Sequence, residues 1–172
     1  MPVIKEALSA QSLACMEKLK ALDLSPIAAY LINPHNGYGW RQRQTFRAMR
    51  RYKTFLFVSY LYPNMQLVPT QDIDRVWHCH LLHTRKYRQD CELLFGHFID
   101  HEPESEFWGE TNQNLDTAFA QTQALMALFE QYFETDTAME LSQEKFQSEI
   151  MTDTGNLHIY RSACGRPQQM FA

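Results

Sequence analysis

Histidine supplies the commonest metal ligand and the side chain that titrates nearest neutral pH. Five of the seven histidines in this chain, His78, His80, His83, His97 and His101, fall within 24 residues, and the densest stretch is DIDRVWHCHLLHTRKYRQDCELLFGHFIDH, residues 72–101. Geometry decides which of them can cooperate. A helix advances about 100° per residue, so His78 and His80 stand about 200° apart and cannot share one ion within a regular helix. Asp74 lies at i,i+4 to His78, where a carboxylate can ligate beside the imidazole or orient it. His80 falls on a different stripe, with Ile73, Trp77, Thr84, Tyr87 and Cys91, that reads as buried. The HxH spacing would put both imidazoles on one face of a strand, but the flanking residues lack alternation and β-branching. His97 and His101 have the HxxxH spacing of zinc-protease helices, yet Phe98 stands where the glutamate base belongs. That pair can still reach His78 or His80 across a turn at Gly96. The candidate ligands are therefore Asp74, His78, His80 and His101, with only one of His78 and His80 able to join His101 at one ion unless the helix breaks there, and the candidate ion is a divalent transition metal such as zinc. Trp77, Tyr87, Asp90 and Cys91 are candidate supports for it. The competing reading makes the same side chains a hydrogen-bonded core network with no metal.

Other chemistries find less. No GxGxxG, GxxxxGK[ST] or GxSxG occurs, so phosphate loops and a serine elbow have no sequence support. Cys91 could pair with His80 or His83 as a nucleophile, but a thiol on a buried stripe is inert unless its pKa is lowered. No CxxCH is present for haem attachment.

These residues need elements to position them. Residues 3–22 read as an amphipathic helix, with Leu8, Ser12, Cys15 and Leu19 on one face. Pro26 can open a second short helix through Tyr30, and NPHNGYG (33–39) reads as a loop. A third helix spans about Trp40 to Tyr62 and stops at Pro63. Its first half sets Arg43, Arg47 and Arg50 on one face and Phe46, Met49 and Tyr52 on another; its second half, FLFVSYLY, is apolar all round and belongs at the centre. Thr70 reads as the N-cap of a fourth helix running to about Phe95, with Asp72 and Asp74 in its first turn and Gly96 ending it. The cleanest periodicity lies in 113–134, where Leu115, Phe119, Thr122, Met126, Phe129 and Phe133 form a core stripe. A weaker helix is expected over 140–150. The fold class expected is all-α: a single-domain irregular bundle of about five helices over 1–154, followed by an irregular tail, 155–172.

Composition agrees with one globular domain. The chain has 172 residues, 45% hydrophobic and 21% charged, which excludes wholesale disorder. No apolar run reaches eighteen residues, and the N-terminus carries Glu6 where a signal sequence needs an apolar stretch. No membrane association is expected. Cys15, Cys79, Cys91 and Cys164 form no CxxC pair, which argues against a disulfide framework and for a reduced, cytoplasmic protein. Charge is unevenly placed. From Leu24 to Gln71 there are six cations and no carboxylate, whereas from Asp90 to Asp153 fifteen carboxylates face one cation, Lys145. The basic 41–53 helix or the acidic 90–153 half could serve a protein partner in a non-enzymatic interaction module. Nucleic acid, clamped by Arg43, Arg47 and Arg50 with nearby aromatics, is the minority reading, because the acidic half would repel a polyanion. The plainer expectation is that the two halves compensate each other within the domain.

One combination is distinctive: Asp74-x-x-Trp77-His78-x-His80, then Tyr87-x-x-Asp90-Cys91, then Gly96 and His101. Over residues 68–103 it resembles the N-terminal helical domain of plant glycine-rich-domain-containing proteins and their short bacterial relatives. The glycine-rich portion of the plant proteins has no counterpart here. The resemblance implies a helical domain and marks Trp77, His78, His80, Tyr87, Asp90, Cys91 and His101 as one constellation. It brings no established reaction with it.

Overall fold

The structure, a computed structural model, describes residues 8–101 and 112–133. The expected start of the first helix at residues 3–7, the helix over 140–150 and the tail 155–172 lie outside the described residues.

Among the described residues six α-helices and a 3₁₀ turn follow one another, with no strand. Helix α1, Ala10–Ala21, begins where Ser9 Oγ accepts the Ser12 backbone N–H at 3.1 Å. Helix α2, Ser25–Ile32, opens with Pro26 in its first turn. Helix α3, Gln42–Leu61, is the longest among the described residues. Its twenty residues span about 30 Å. Helices α1, α2, α4 (Gln71–Leu82), α6 (Asn112–Phe129) and the 3₁₀ turn Glu130–Phe133 all pack on α3. The reason lies in its sequence. Phe46, Met49 and Tyr52 bury one stripe of the first half, and Phe55, Leu56, Phe57 and Val58 are buried in succession beyond it. Lys53 is buried with them and donates from Nζ to the Lys20 carbonyl at 3.0 Å, placing a cation at the C-terminal end of α1.

Three expectations need correction. The stretch 71–95 is not one helix. It breaks at His83 into α4 and α5, Thr84–Phe95. His83 leaves helical geometry, with φ −84° and ψ 56°, and its Nδ1 meets the Cys79 carbonyl at 2.7 Å. The side chain thus competes for a carbonyl that the next turn would have used. Thr70 is the N-cap residue of α4, as expected, but its hydroxyl donates to the Asp72 carboxylate and caps no backbone N–H. Phe119 is exposed, because α6 buries Ala118, Thr122, Met126 and Phe129, a stripe one position displaced at that end.

The break at His83 matters most. Ten residues of continuous helix would separate two side chains by about 15 Å along the axis. Instead α5 folds back so that Trp77 meets Tyr87, and His80 meets Asp90, at hydrogen-bonding distance.

Candidate metal centre

Helix α4 presents two polar faces to two different surroundings. His80 points into the core and is 1% exposed. Its Nδ1 lies 3.0 Å from the Tyr52 hydroxyl and its Nε2 lies 2.8 Å from Asp90 Oδ2. Burial raises the Tyr52 pKa well above the ordinary tyrosine value, so its hydroxyl keeps its proton and donates. Burial also lowers the His80 pKa, against the opposing pull of Asp90. The imidazole is then neutral, accepting at Nδ1 and donating from Nε2. Burial acts to raise the Asp90 pKa, but the hydrogen bonds from His80 and from Lys86, whose Nζ stands 2.9 Å from Oδ2, outweigh it and hold the carboxyl below its usual range. Both ring nitrogens of His80 are therefore engaged inside the protein.

The second polar face of α4 is at the surface. Asp74, His78 and His101 each offer one ligand atom, and these atoms all lie within 4.8 Å of one another. His101 Nε2 is 2.9 Å from Asp74 Oδ1, and His78 Nε2 is 3.5 Å from the same oxygen. The two imidazoles stand edge to face, with centroids 4.5 Å apart. Side-chain exposure falls from 51% at His78 through 35% at Asp74 to 12% at His101, so the group is open to solvent at His78. Asp74 and His78 meet because they are one helical turn apart. His101 arrives from the segment beyond α5.

That arrival is built from residues of α4 and α5 acting across the break. Gly96 ends α5 in the left-handed region, φ 75°, and turns the chain back toward α4. Trp77 Nε1 donates to the Tyr87 hydroxyl at 2.9 Å, and that hydroxyl donates to the Ile99 carbonyl at 2.7 Å, two residues before His101. The His101 ring then packs against Trp77 with centroids 4.5 Å apart. Cys91 sits beside this clamp as a buried thiol, its pKa raised by burial. His97 stays exposed, with Nδ1 3.0 Å from the Phe95 carbonyl, and takes no part. Sequence reasoning missed Tyr52, Lys86 and the Ile99 carbonyl. Lys86 carried a signal in its i,i+4 spacing to Asp90; the other two are non-local and carried none.

Of the basic face, Arg43 and Arg47 are exposed and Arg50 is half-buried on α3. Arg51 crosses between elements: it pairs with Asp72 Oδ2 at 2.9 Å and with Glu130 Oε1 at 3.1 Å. Burial acts to raise the Asp72 pKa, but the Thr70 hydroxyl and Arg51 outweigh it, and the carboxyl is lowered.

Residues 30–140 match the profile of the UCP032817-like family, a span that holds α3, both polar faces of α4 and His101. The chain belongs to that family. Two curated relatives of this UCP032817-like chain are glycine-rich domain-containing proteins 1 and 2 of Arabidopsis thaliana. They are 36% and 33% identical to it over 81 residues, which is 45% of this chain and 10% of each relative. The UCP032817-like chain thus corresponds to about a tenth of the length of those plant proteins. No solved structure matches it. Among the described residues no helix is long and apolar enough to cross a membrane.

Proposed function

We propose that Asp74, His78 and His101 hold a divalent transition metal, with zinc the ion that suits the donor set. The observation that carries this reading is the convergence of one carboxylate oxygen and two imidazole nitrogens within 4.8 Å. Zinc bonds of about 2.0–2.2 Å bring tetrahedral ligand atoms to about 3–4 Å apart, so modest side-chain rotation closes the set around an ion. The chemistry is also right. Two nitrogens and one oxygen are borderline-hard donors, and the His101 imidazole, packed against the Trp77 indole, is oriented before the ion arrives. Three protein ligands leave a fourth position for water on the solvent side. His80 belongs to the buried network on this reading, because Tyr52 and Asp90 already use its nitrogens. The buried thiols Cys15, Cys79 and Cys91, none of them in a disulfide, support a reducing compartment such as the cytoplasm. Burial raises the Cys15 and Cys79 pKa values to about 11, which leaves those thiols protonated and unreactive at neutral pH.

The test is elemental analysis and zinc calorimetry on untagged protein. One equivalent of zinc per chain is expected, with a melting temperature that rises on zinc addition and falls with chelator. Asp74→Asn, His78→Ala and His101→Ala should each abolish the zinc-dependent rise. Stoichiometric zinc binding that survives all three substitutions, or no binding by the unaltered chain, would sink the proposal.

A further inference from the structure

Arg75 stands next to the proposed metal centre on α4. It follows Asp74 directly and precedes His78 by one helical turn. At about 100° per residue, Trp77 and Arg75 flank the Asp74–His78 pair on opposite sides. The Trp77 side is closed, because the indole packs against the His101 ring with centroids 4.5 Å apart. The Arg75 side adjoins His78, the most exposed of the three ligands. The guanidinium there is held in place without being neutralised. Its Cζ lies 5.8 Å from the centroid of the Tyr38 ring, and that ring packs on Trp40 with centroids 5.9 Å apart. A cation–π contact fixes the charge and leaves its donors free for an anion. Among the described residues no carboxylate pairs with Arg75. Arg75 is also half-buried, so water compensates its charge only in part. Burial raises the Tyr38 pKa, and the Asp74 carboxylate adds to that rise against the pull of Arg75, so both charges act on one hydroxyl.

Resting on the metal reading, we infer that the open coordination position takes the carboxylate of a small organic acid, and that Arg75 selects for its charge. Zinc held by one carboxylate and two neutral imidazoles keeps a net positive charge. Arg75 sets a second positive charge on the open side of the same group. The two together favour an anion over a neutral ligand. One planar guanidinium fork matches the two coplanar oxygens of a carboxylate. A phosphate dianion carries more charge than a single guanidinium matches. Arg75 is thus a specificity residue, and it is not itself a metal ligand.

Cobalt(II) in place of zinc gives a visible spectrum that changes when the fourth ligand changes. Acetate is titrated into the cobalt-loaded, untagged chain at fixed ionic strength, with imidazole as the uncharged ligand and phosphate in parallel. A saturable spectral change with acetate is expected. Arg75→Gln should weaken acetate by about tenfold or more, the equivalent of one charge-assisted hydrogen bond. Cobalt affinity and imidazole binding should stay as in the parent. Tyr38 is exposed, so Tyr38→Leu should fold; it removes the ring beneath the guanidinium and should weaken acetate about two- to fivefold. A melt without ligand checks both variants. The inference is overturned by an acetate affinity unchanged in Arg75→Gln, by equal weakening of acetate and imidazole, by tighter binding of phosphate, or by a parent spectrum that acetate does not alter. Each of those outcomes leaves the metal reading standing. An unaltered chain that gives no cobalt spectrum would sink the metal reading and this inference together.

Discussion

Tyr87 uses one hydroxyl for two bonds, accepting from Trp77 and donating to Ile99. Tyr87→Phe removes both while keeping the ring, and it leaves a buried indole N–H without an acceptor. The expected stability cost is about 1–3 kcal/mol, read by urea unfolding. Because the Ile99 carbonyl is freed two residues before His101, zinc affinity should also fall, by about tenfold as for other supporting residues around metals. A variant that loses stability but binds zinc as tightly as the unaltered chain would show that the clamp does not position His101. How much of this was legible depends on sequence distance. Asp74 and His78 sit one turn apart, so their pairing follows from helical spacing. The 200° between His78 and His80 likewise places them on different faces. The partner of His80 across the core, Tyr52, is 28 residues away on another helix, and no local periodicity encodes that approach.

At the scale of elements, the existence of the helices was readable and one boundary was not. Apolar periodicity, Pro26, Pro63 and Gly96 mark starts and stops by known backbone chemistry. The break at His83 has no glycine or proline to announce it. It arises from a side chain bonding a carbonyl of the preceding turn, together with the pull of two cross-break pairs. Those pairs explain why the spacing of ten between Trp77 and Tyr87 recurs between His80 and Asp90. Gly96 is the element boundary that can be tested. Its φ of 75° penalises any residue with a Cβ, yet a Cβ built there meets no atom within 4 Å. Gly96→Ala should therefore cost only the conformational term, about 1–2 kcal/mol, in equilibrium unfolding. Gly96→Asn should recover part of it, since asparagine tolerates the left-handed region. An alanine variant as stable as the parent would mean that the 96–101 turn adopts another path. The arrival of His101 beside Asp74 would then need a different explanation.

At the scale of the whole molecule, the segregation of charge along the sequence is partly undone in space. The acid-free stretch from Leu24 to Gln71 supplies Arg51, and carboxylates from α4 and from the 3₁₀ turn after α6 close on it. The sequence pointed to such compensation but not to its residue, because Arg43, Arg47 and Arg50 form the more regular stripe. Burial picked the neighbour instead. Arg51 is the tie between three elements that all pack on or belong to the central helix. Arg51→Met keeps most of the aliphatic stem and removes the guanidinium, leaving Asp72 and Glu130 without their shared cation. The expected loss is about 1–2 kcal/mol at low salt, discounted for the partial exposure of both carboxylates. Raising the salt to about 1 M, where the screening length falls to roughly 3 Å, should narrow the gap between parent and variant. Arg43→Gln, at an exposed position on the same helix, should stay within about 0.5 kcal/mol of the parent at either salt. Urea unfolding measures all three proteins. Equal losses for Arg51 and Arg43 would show that charge density along α3, and not the bridge to α4 and α6, sets the electrostatic contribution to stability.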